Sequence, residues 1–373
     1  MKNKNADGLR GLASLCVACH HFIAAFLPFL LHQNYPTFFV AAAHPSTLIA
    51  LCSSPIISVF YNGNFPVMIF FVLSGYVLTT PYFSNTATPF VLHRRLWGRY
   101  LRLNIPVAAT VLLSYIVYKC HGYFNIEAGA LSGSNKWLTT FFAPGFSLNI
   151  ALKDMLWRSL TLGEGIFNPV FWTLKIELIG SIYVLVFYIA KPKGNNFLFT
   201  AIILFLISII NFEMINYSIA IFAGALLNKV AIPKKWHLFL LCCGLYFGAF
   251  QYENSFYDFL PSFGLGHIGS FYNTIGAILL ITPILNGYGA RFFQSRLLQF
   301  LGLISFPLYL LHFIVLSSFA CALYVFLPHN FGMLSIVFVL YLLVSIALST
   351  IFEKRIDKPA IALSHRLSAF LFR

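Results

Sequence analysis

Between residues 9 and 352 the chain returns repeatedly to apolar runs of bilayer length, and this repetition limits its fold more than any motif does. A membrane-spanning helix needs about 20 mostly apolar residues, with a range of roughly 17–25. Runs of this kind stand at 9–31, 60–80, 101–118, 169–190, 197–211, 215–229, 237–251, 271–287, 300–324 and 333–352. Composition closes the alternatives. Of 373 residues 59% are hydrophobic and 9% charged, against roughly 25% charged in soluble domains. Too few charges remain to cover soluble surfaces, so soluble, disordered, collagenous and disulfide-scaffold classes are excluded. The expectation is an all-α, polytopic integral membrane protein of about ten spans, one membrane unit over 1–373 with no internal repeat.

The net charge of +14 suggests nucleic acid only until the charges are placed. With the N-terminus in the cytoplasm, the inner segments carry Lys2, Lys4 and Arg10; Arg94, Arg95, Arg99 and Arg102; Lys191 and Lys193; Lys229, Lys234 and Lys235; Arg291 and Arg296; and Lys354, Arg355, Lys358, Arg366 and Arg373. The short outer connections 32–59, 212–214, 252–270 and 328–332 carry no Lys or Arg. Short loops obey the positive-inside rule, while long ones cross largely regardless of charge. Lys119, Lys136, Lys153 and Arg158 all lie in or beside the one long outer loop, 119–168, which reads as an outer-face cap. Both termini are therefore expected in the cytoplasm, with no nucleic-acid partner. The first run exceeds the 7–15 residues of a signal h-region and is expected to stay as an anchor.

The cysteines lie mostly inside apolar runs, where a thiol behaves as a small hydrophobe. Cys16-Val-Ala-Cys19-His20 matches the spacing of haem attachment. It lies within a regular apolar segment, however, and neither haem nor a metal is expected.

Ionisable side chains inside a span cost roughly 2.5–3.5 kcal/mol on insertion scales and are functional candidates by default. Arg10 and His21 are eleven residues apart, about 20° from three full turns and about 16 Å along a helix. They share one face, a cation at the mouth and an imidazole at depth. Arg95, Arg99 and Arg102 share a face at spacings of four and three, and with Arg94 they suit phosphates, anionic lipid or topology. Ser74-Gly75 reads as a site of close helix approach, and Ser74 is left out of the chemistry. Lys175 and Glu177 do not face each other; Lys175 can snorkel and Glu177 lies deeper. His312 puts a second imidazole in mid-span behind Pro307. Such intramembrane groups describe a transporter equally well, although no inverted repeat is visible.

Taken together these segments resemble the acyltransferase-3 family of membrane acyltransferases over about residues 7–360. Asp7-Gly8-Leu9-Arg10-Gly11-Leu12-Ala13 with His21 is similar to its opening signature, and Phe70 to Tyr76 to its second. Arg99-Tyr100-Leu101-Arg102, Phe171 to Glu177, Gly302 to His312, Phe352-Glu353 and Lys358-Pro359 resemble later ones. Leu178 replaces the family's second Glu, and Lys175 stands where a small neutral residue is common.

The resemblance implies acetyl-CoA as cytoplasmic acyl donor and a saccharide or glycolipid acceptor, such as lipopolysaccharide O-antigen, reached from across a bacterial-type inner membrane. With such a donor, Arg94, Arg95, Arg99 and Arg102 are expected to meet the CoA phosphates, with the pantetheine arm along the Arg10 face. His21 then serves as general base or acyl carrier, oriented by Glu177 or His312. Membrane lipids are the remaining partners expected.

Overall fold

The computed structural model describes residues 3–83, 89–142, 145–190, 215–261 and 268–371. Inside a bilayer no water pairs with the backbone, so a spanning chain must close its hydrogen bonds within helices or a closed barrel. The apolar runs form helices, and no strand occurs among the described residues. The principal elements are α1 (Lys4–Phe26), α2 (Asn64–Phe83), α3 (Pro89–Lys119), α4 (Phe171–Ala190), α5 (Ile215–Leu226), α6 (His237–Gly248), α7 (Ile268–Leu285), α8 (Arg296–Leu303), α9 (Ser305–Val315), α10 (Phe331–Phe352) and α11 (Lys358–Leu371). Asn3 starts α1 by accepting from the backbone N–H groups of Asn5 and Ala6, at 3.0 and 3.3 Å.

Six described helices are long and apolar enough to cross a membrane: Lys4–Phe26, Asn64–Phe83, His93–Lys119, Phe171–Tyr188, Ser305–Phe326 and Phe331–Phe370. A shorter apolar helix covers Gly269–Leu285. The expected spans at 215–229 and 237–251 become helices of 12 residues, α5 and α6, about 18 Å long. The expected span at 197–211 lies outside the described residues. The expected run 300–324 is divided between α8 and α9. Pro307 falls in the first turn of α9, where its missing N–H breaks no helical bond. Three π turns occur among the described residues, Asp154–Arg158 before α4, Leu316–Ala320 after α9 and Glu353–Asp357 between α10 and α11, and each inserts a residue into the helical register.

The bundle has two distinct ends. The Asn5 amide donates to the Ile284 carbonyl at 2.8 Å and the Asn3 amide to the Tyr76 hydroxyl at 3.2 Å. The start of α1 thus meets the last turns of α7 and α2, and this is the Lys4 end. At the other end the Asn62 amide before α2 donates to the Gly248 carbonyl of α6 at 2.9 Å.

Close backbone approach holds α2 to α5. A Cβ on Gly75 would stand 1.8 Å from the Ile221 carbonyl oxygen, and one on Gly224 the same distance from that of Val72. Helix association in lipid has no hydrophobic driving force, so small residues that let backbones touch carry it. Gly75→Ala is expected to cost about 1–3 kcal/mol through overpacking. Thermal unfolding in detergent would show it as a lowered midpoint at unchanged helix content.

The first part of the segment between α3 and α4, as far as Phe142, folds over the end opposite Lys4. The Asn125 amide holds it by donating to the carbonyls of Leu138 and Phe141, at 3.0 and 2.7 Å, and Ser134 Oγ donates to the Ala24 carbonyl of α1 at 2.7 Å. Further along the same segment, beside α3 where Asn104 Nδ2 donates to the Met155 carbonyl at 3.0 Å, Asp154 is fully buried. Among the described residues its oxygens have no hydrogen-bond partner, and Arg158 Nε lies 3.6 Å away. Burial pushes its carboxyl from the ordinary 3.8 up to about 6, with Arg158 pulling the other way. A group whose folded pKa is raised contributes stability that is full below the unfolded value and is lost as pH rises through the folded one. The melting midpoint is therefore expected to fall between about pH 4 and pH 6 in the native protein, and Asp154→Asn should flatten that slope.

Candidate active site

Two imidazoles from helices distant in sequence meet inside the bundle. His21 Nδ1 lies 2.7 Å from His312 Nε2, and His312 Nδ1 lies 2.9 Å from the Leu308 carbonyl oxygen. A carbonyl only accepts, so His312 Nδ1 carries the proton and its Nε2 is the acceptor. His21 Nδ1–H then donates to His312, and His21 Nε2 keeps its lone pair. The indole of Trp137, from the cap, stacks on the His21 ring at 5.7 Å between centroids and 12° between planes. The His312 ring lies edge to edge with it and nearly coplanar, at 4.9 Å between centroids and 19° between planes. With the indole on one face and His312 bonded from behind, the imidazole presents one free nitrogen in a fixed direction.

A series of cavities leads to it. At the Lys4 end a cavity of about 410 Å³ is lined by Arg10, Ser74, Arg94, Arg95, Arg99, Arg102 and Glu177, with Ser364, His365 and Ser368 from α11. A narrower one of about 100 Å³ continues inward along Arg10, Ser74, Arg99, Arg102 and Glu177 and adds Thr173, Ser305, Tyr309 and Asp357. Val67 and Tyr309 also line the next, of about 340 Å³, which contains His20, His21, Trp137, Phe141 and Phe313. The first cavity is strongly cationic; in the third, among the described residues, the histidines are the only ionisable groups besides tyrosine.

Where the first two cavities join, three helices meet through polar groups. Arg99 of α3 pairs with Glu177 Oε1 of α4, and Ser74 Oγ of α2 donates to the same oxygen at 2.5 Å. Arg99 Nε donates to Ser181 Oγ at 3.1 Å. The pair is largely buried, with the side chains 9% and 18% exposed.

The sequence-predicted residues therefore divide in two. His21 and His312 come together, and the arginines gather with Arg10 around one cavity. Glu177 does not reach the imidazole; of the two groups considered as its orienter, only His312 touches it. Ser74, read as a packing residue, lines the cavity, while its neighbour Gly75 makes the close approach. Leu178, where the family has a second Glu, is buried in the apolar core. His20 also lines the third cavity. Its Nδ1 donates to the Tyr61 carbonyl at 2.9 Å, and Gly63 leaves room for its ring.

Other lining residues carried weaker signals. Tyr309 lies three residues before His312 and so on the same face. Its hydroxyl stands 2.7 Å from Thr173 Oγ1, which itself donates to the Val170 carbonyl at 2.8 Å, so Tyr309 is the donor of that pair. Asp357, Ser364 and Ser368 recur at spacings of seven and four, again one helical face. Trp137 had no such signal, because its position depends on how the cap folds.

A lone-pair nitrogen deep in a helical membrane bundle, approached from a cationic mouth, suits a membrane-bound group-transfer enzyme. Comparison specifies the class: the profile of the family described as "Acyltransferase domain" matches residues 3–354, and the chain belongs to this acyltransferase-3 family. It is an acyltransferase, which sets the transport reading aside. The chain is 22% identical over 403 residues to "Acyltransferase R4" of Phoma sp., covering 85% of this chain and 83% of that one. It is 25% identical over 214 residues to "O-acetyltransferase PaAT-1" of Phomopsis amygdali, covering 51% of this chain and 41% of that protein. No solved structure matches.

Proposed function

We propose that this enzyme takes an acetyl group from acetyl-CoA at the Lys4 end, on the cytoplasmic side of a plasma membrane, and transfers it to a hydroxyl of a saccharide-type acceptor entering from the opposite end. The observation that carries the reading is the His21–His312 dyad standing where the cavity series from the arginines meets the cap. Guanidiniums bind phosphate oxygens through paired N–H donors, so Arg94, Arg95, Arg99 and Arg102 meet the CoA phosphates. The pantetheine arm follows the Arg10 side of α1 inward, and the thioester carbonyl comes to His21. The name of the Phomopsis relative, an O-acetyltransferase, favours acetyl as the group and oxygen as the acceptor atom.

His21 Nε2 accepts the proton of the acceptor hydroxyl as that oxygen attacks the thioester carbonyl. The positive charge formed on the ring is shared through Nδ1–H with His312. When the C–S bond breaks, the proton passes to the departing thiolate, giving CoA thiol and an acetyl ester and returning the dyad to its starting state.

The test uses the protein reconstituted in vesicles with acetyl-labelled acetyl-CoA on the Lys4 side. Label in an alkali-labile ester on an added sugar or glycolipid supports the reading. Binding of acetyl-CoA without transfer of label to any hydroxyl would overturn it.

A further inference from the structure

Beside the first cavity another, of about 490 Å³, opens at the Lys4 end, lined from α1, α2, α3, α9 and the π turn that joins α10 to α11. The two share Arg10, Arg95 and Arg102. The new cavity also meets the narrow inner one, through Arg10, Arg102, Ser305, Phe306 and Asp357. Two mouths thus converge on one passage, with guanidiniums where they join. Arg95 is held there by α2. Its Nη1 donates to the carbonyls of Val77 and Leu78, at 3.4 and 3.2 Å, and Pro81 leaves the first of these without its helical donor.

Acid sets this mouth apart. Asp7, Glu353 and Asp357 line it. Glu353 and Asp357 are 8% and 7% exposed. Among the described residues neither carboxylate has a hydrogen bond or an ion pair, although Arg102, Glu353 and Arg10 act on Asp357 through space. Their oxygens are not sealed by packing, and both residues face the cavity. A buried acceptor without a partner costs free energy until a donor is supplied, and more when it is charged. A metal cation does not fit, since three guanidiniums line the same cavity and no cluster of three metal-ligating side chains occurs among the described residues. Bare phosphate does not fit either, because it meets the carboxylates as like charges. The fitting ligand presents N–H donors on a neutral group close to its own anion. Tyr76 and Phe306 add aromatic rings to the wall.

We infer that this cavity takes the adenine of the acyl donor, with the exocyclic amine donating to Glu353 and Asp357 and the phosphates held by the arginines between the two mouths. The inference rests on acetyl-CoA as the donor. In that molecule the adenine amine is a flat, neutral group with two N–H donors, one for each open carboxylate. The pantetheine arm leaves from the other side of the diphosphate, toward the narrow passage.

Equilibrium binding to the full chain in nanodiscs tests this, with acetyl-CoA and the analogue in which hypoxanthine replaces adenine. Hypoxanthine turns a carbonyl oxygen toward the carboxylates in place of the amine. The analogue is expected to bind at least about tenfold more weakly, since a site built around a donor group rejects the analogue that lacks it. Glu353→Leu with Asp357→Leu, which breaks no hydrogen bond found in the structure, should bring the two donors within about twofold of each other. Glu353→Gln keeps the side chain's size and supplies an N–H to the hypoxanthine oxygen, so it should narrow the difference at least about threefold. Equal affinities in the unaltered protein overturn the inference and leave acetyl-CoA as the donor. So does a difference unchanged in the double variant or, where that variant does not fold, in Glu353→Gln. Binding of neither donor overturns it together with the acetyl-CoA reading. Selective binding with no acetyl label reaching any hydroxyl keeps the adenine subsite and overturns acyl transfer.

Discussion

His21→Ala is expected to lower acetyl transfer by about 10²- to 10⁴-fold, the usual contribution of a positioned acid–base group, while the protein stays inserted and folded. The side chain lies against a cavity and supports no other helix through a hydrogen bond except the one carrying His312. Truncation therefore removes the proton acceptor without opening the core. The loss should fall on kcat, with acetyl-CoA affinity little changed, because the arginines at the other end of the cavity series are untouched. Labelled acetyl transfer and equilibrium binding of acetyl-CoA to the same preparation separate the two. Full transfer in the variant would remove His21 from the chemistry.

The second large effect concerns the Arg99–Glu177 pair. Removing one member of a buried ion pair costs about 3–5 kcal/mol, because the other is left charged and unpaired, whereas replacing both with apolar residues is often near neutral. Glu177→Leu alone should therefore lower the unfolding midpoint strongly, and Arg99→Leu with Glu177→Leu should restore most of it. Acetyl-CoA binding decides what the pair does. If Arg99 meets the donor, the double variant folds yet binds acetyl-CoA at least tenfold more weakly, about 1.4 kcal/mol. If the pair only joins α3 to α4, affinity returns with stability.

The class of this protein was readable from its apolar runs because the rule is one-dimensional: a segment that must satisfy its backbone without water becomes a helix wherever it lies. Arg10 with His21, and Arg95 with Arg99 and Arg102, were readable for a similar reason, since helical spacing alone places them on common faces. Ser74 and Gly75 mark the limit of such reasoning. Neighbours on a helix point about 100° apart, so Gly75 packs against Ile221 while Ser74 faces the cavity and Glu177. The sequence showed a small polar pair, and only the neighbouring helices distinguish the two roles.

The pairing of His21 with His312 spans 291 positions, and no local pattern reports a contact at that range. Glu177 offered the same side-chain chemistry as an orienter, but Arg99 on the adjoining helix holds it instead. Asp357 ends the π turn that begins at Glu353, so α-helical periodicity carried from α10 through that turn gives the wrong face. Trp137 reaches His21 because the cap folds down on α1. Hydrophobicity and helical period thus dictate which segments cross and which residues share a side. The assembly of those helices dictates which imidazole meets which, where the buried charges find partners, and which cavity opens beside the free nitrogen, because each depends on contacts between segments that no repeat along the chain encodes.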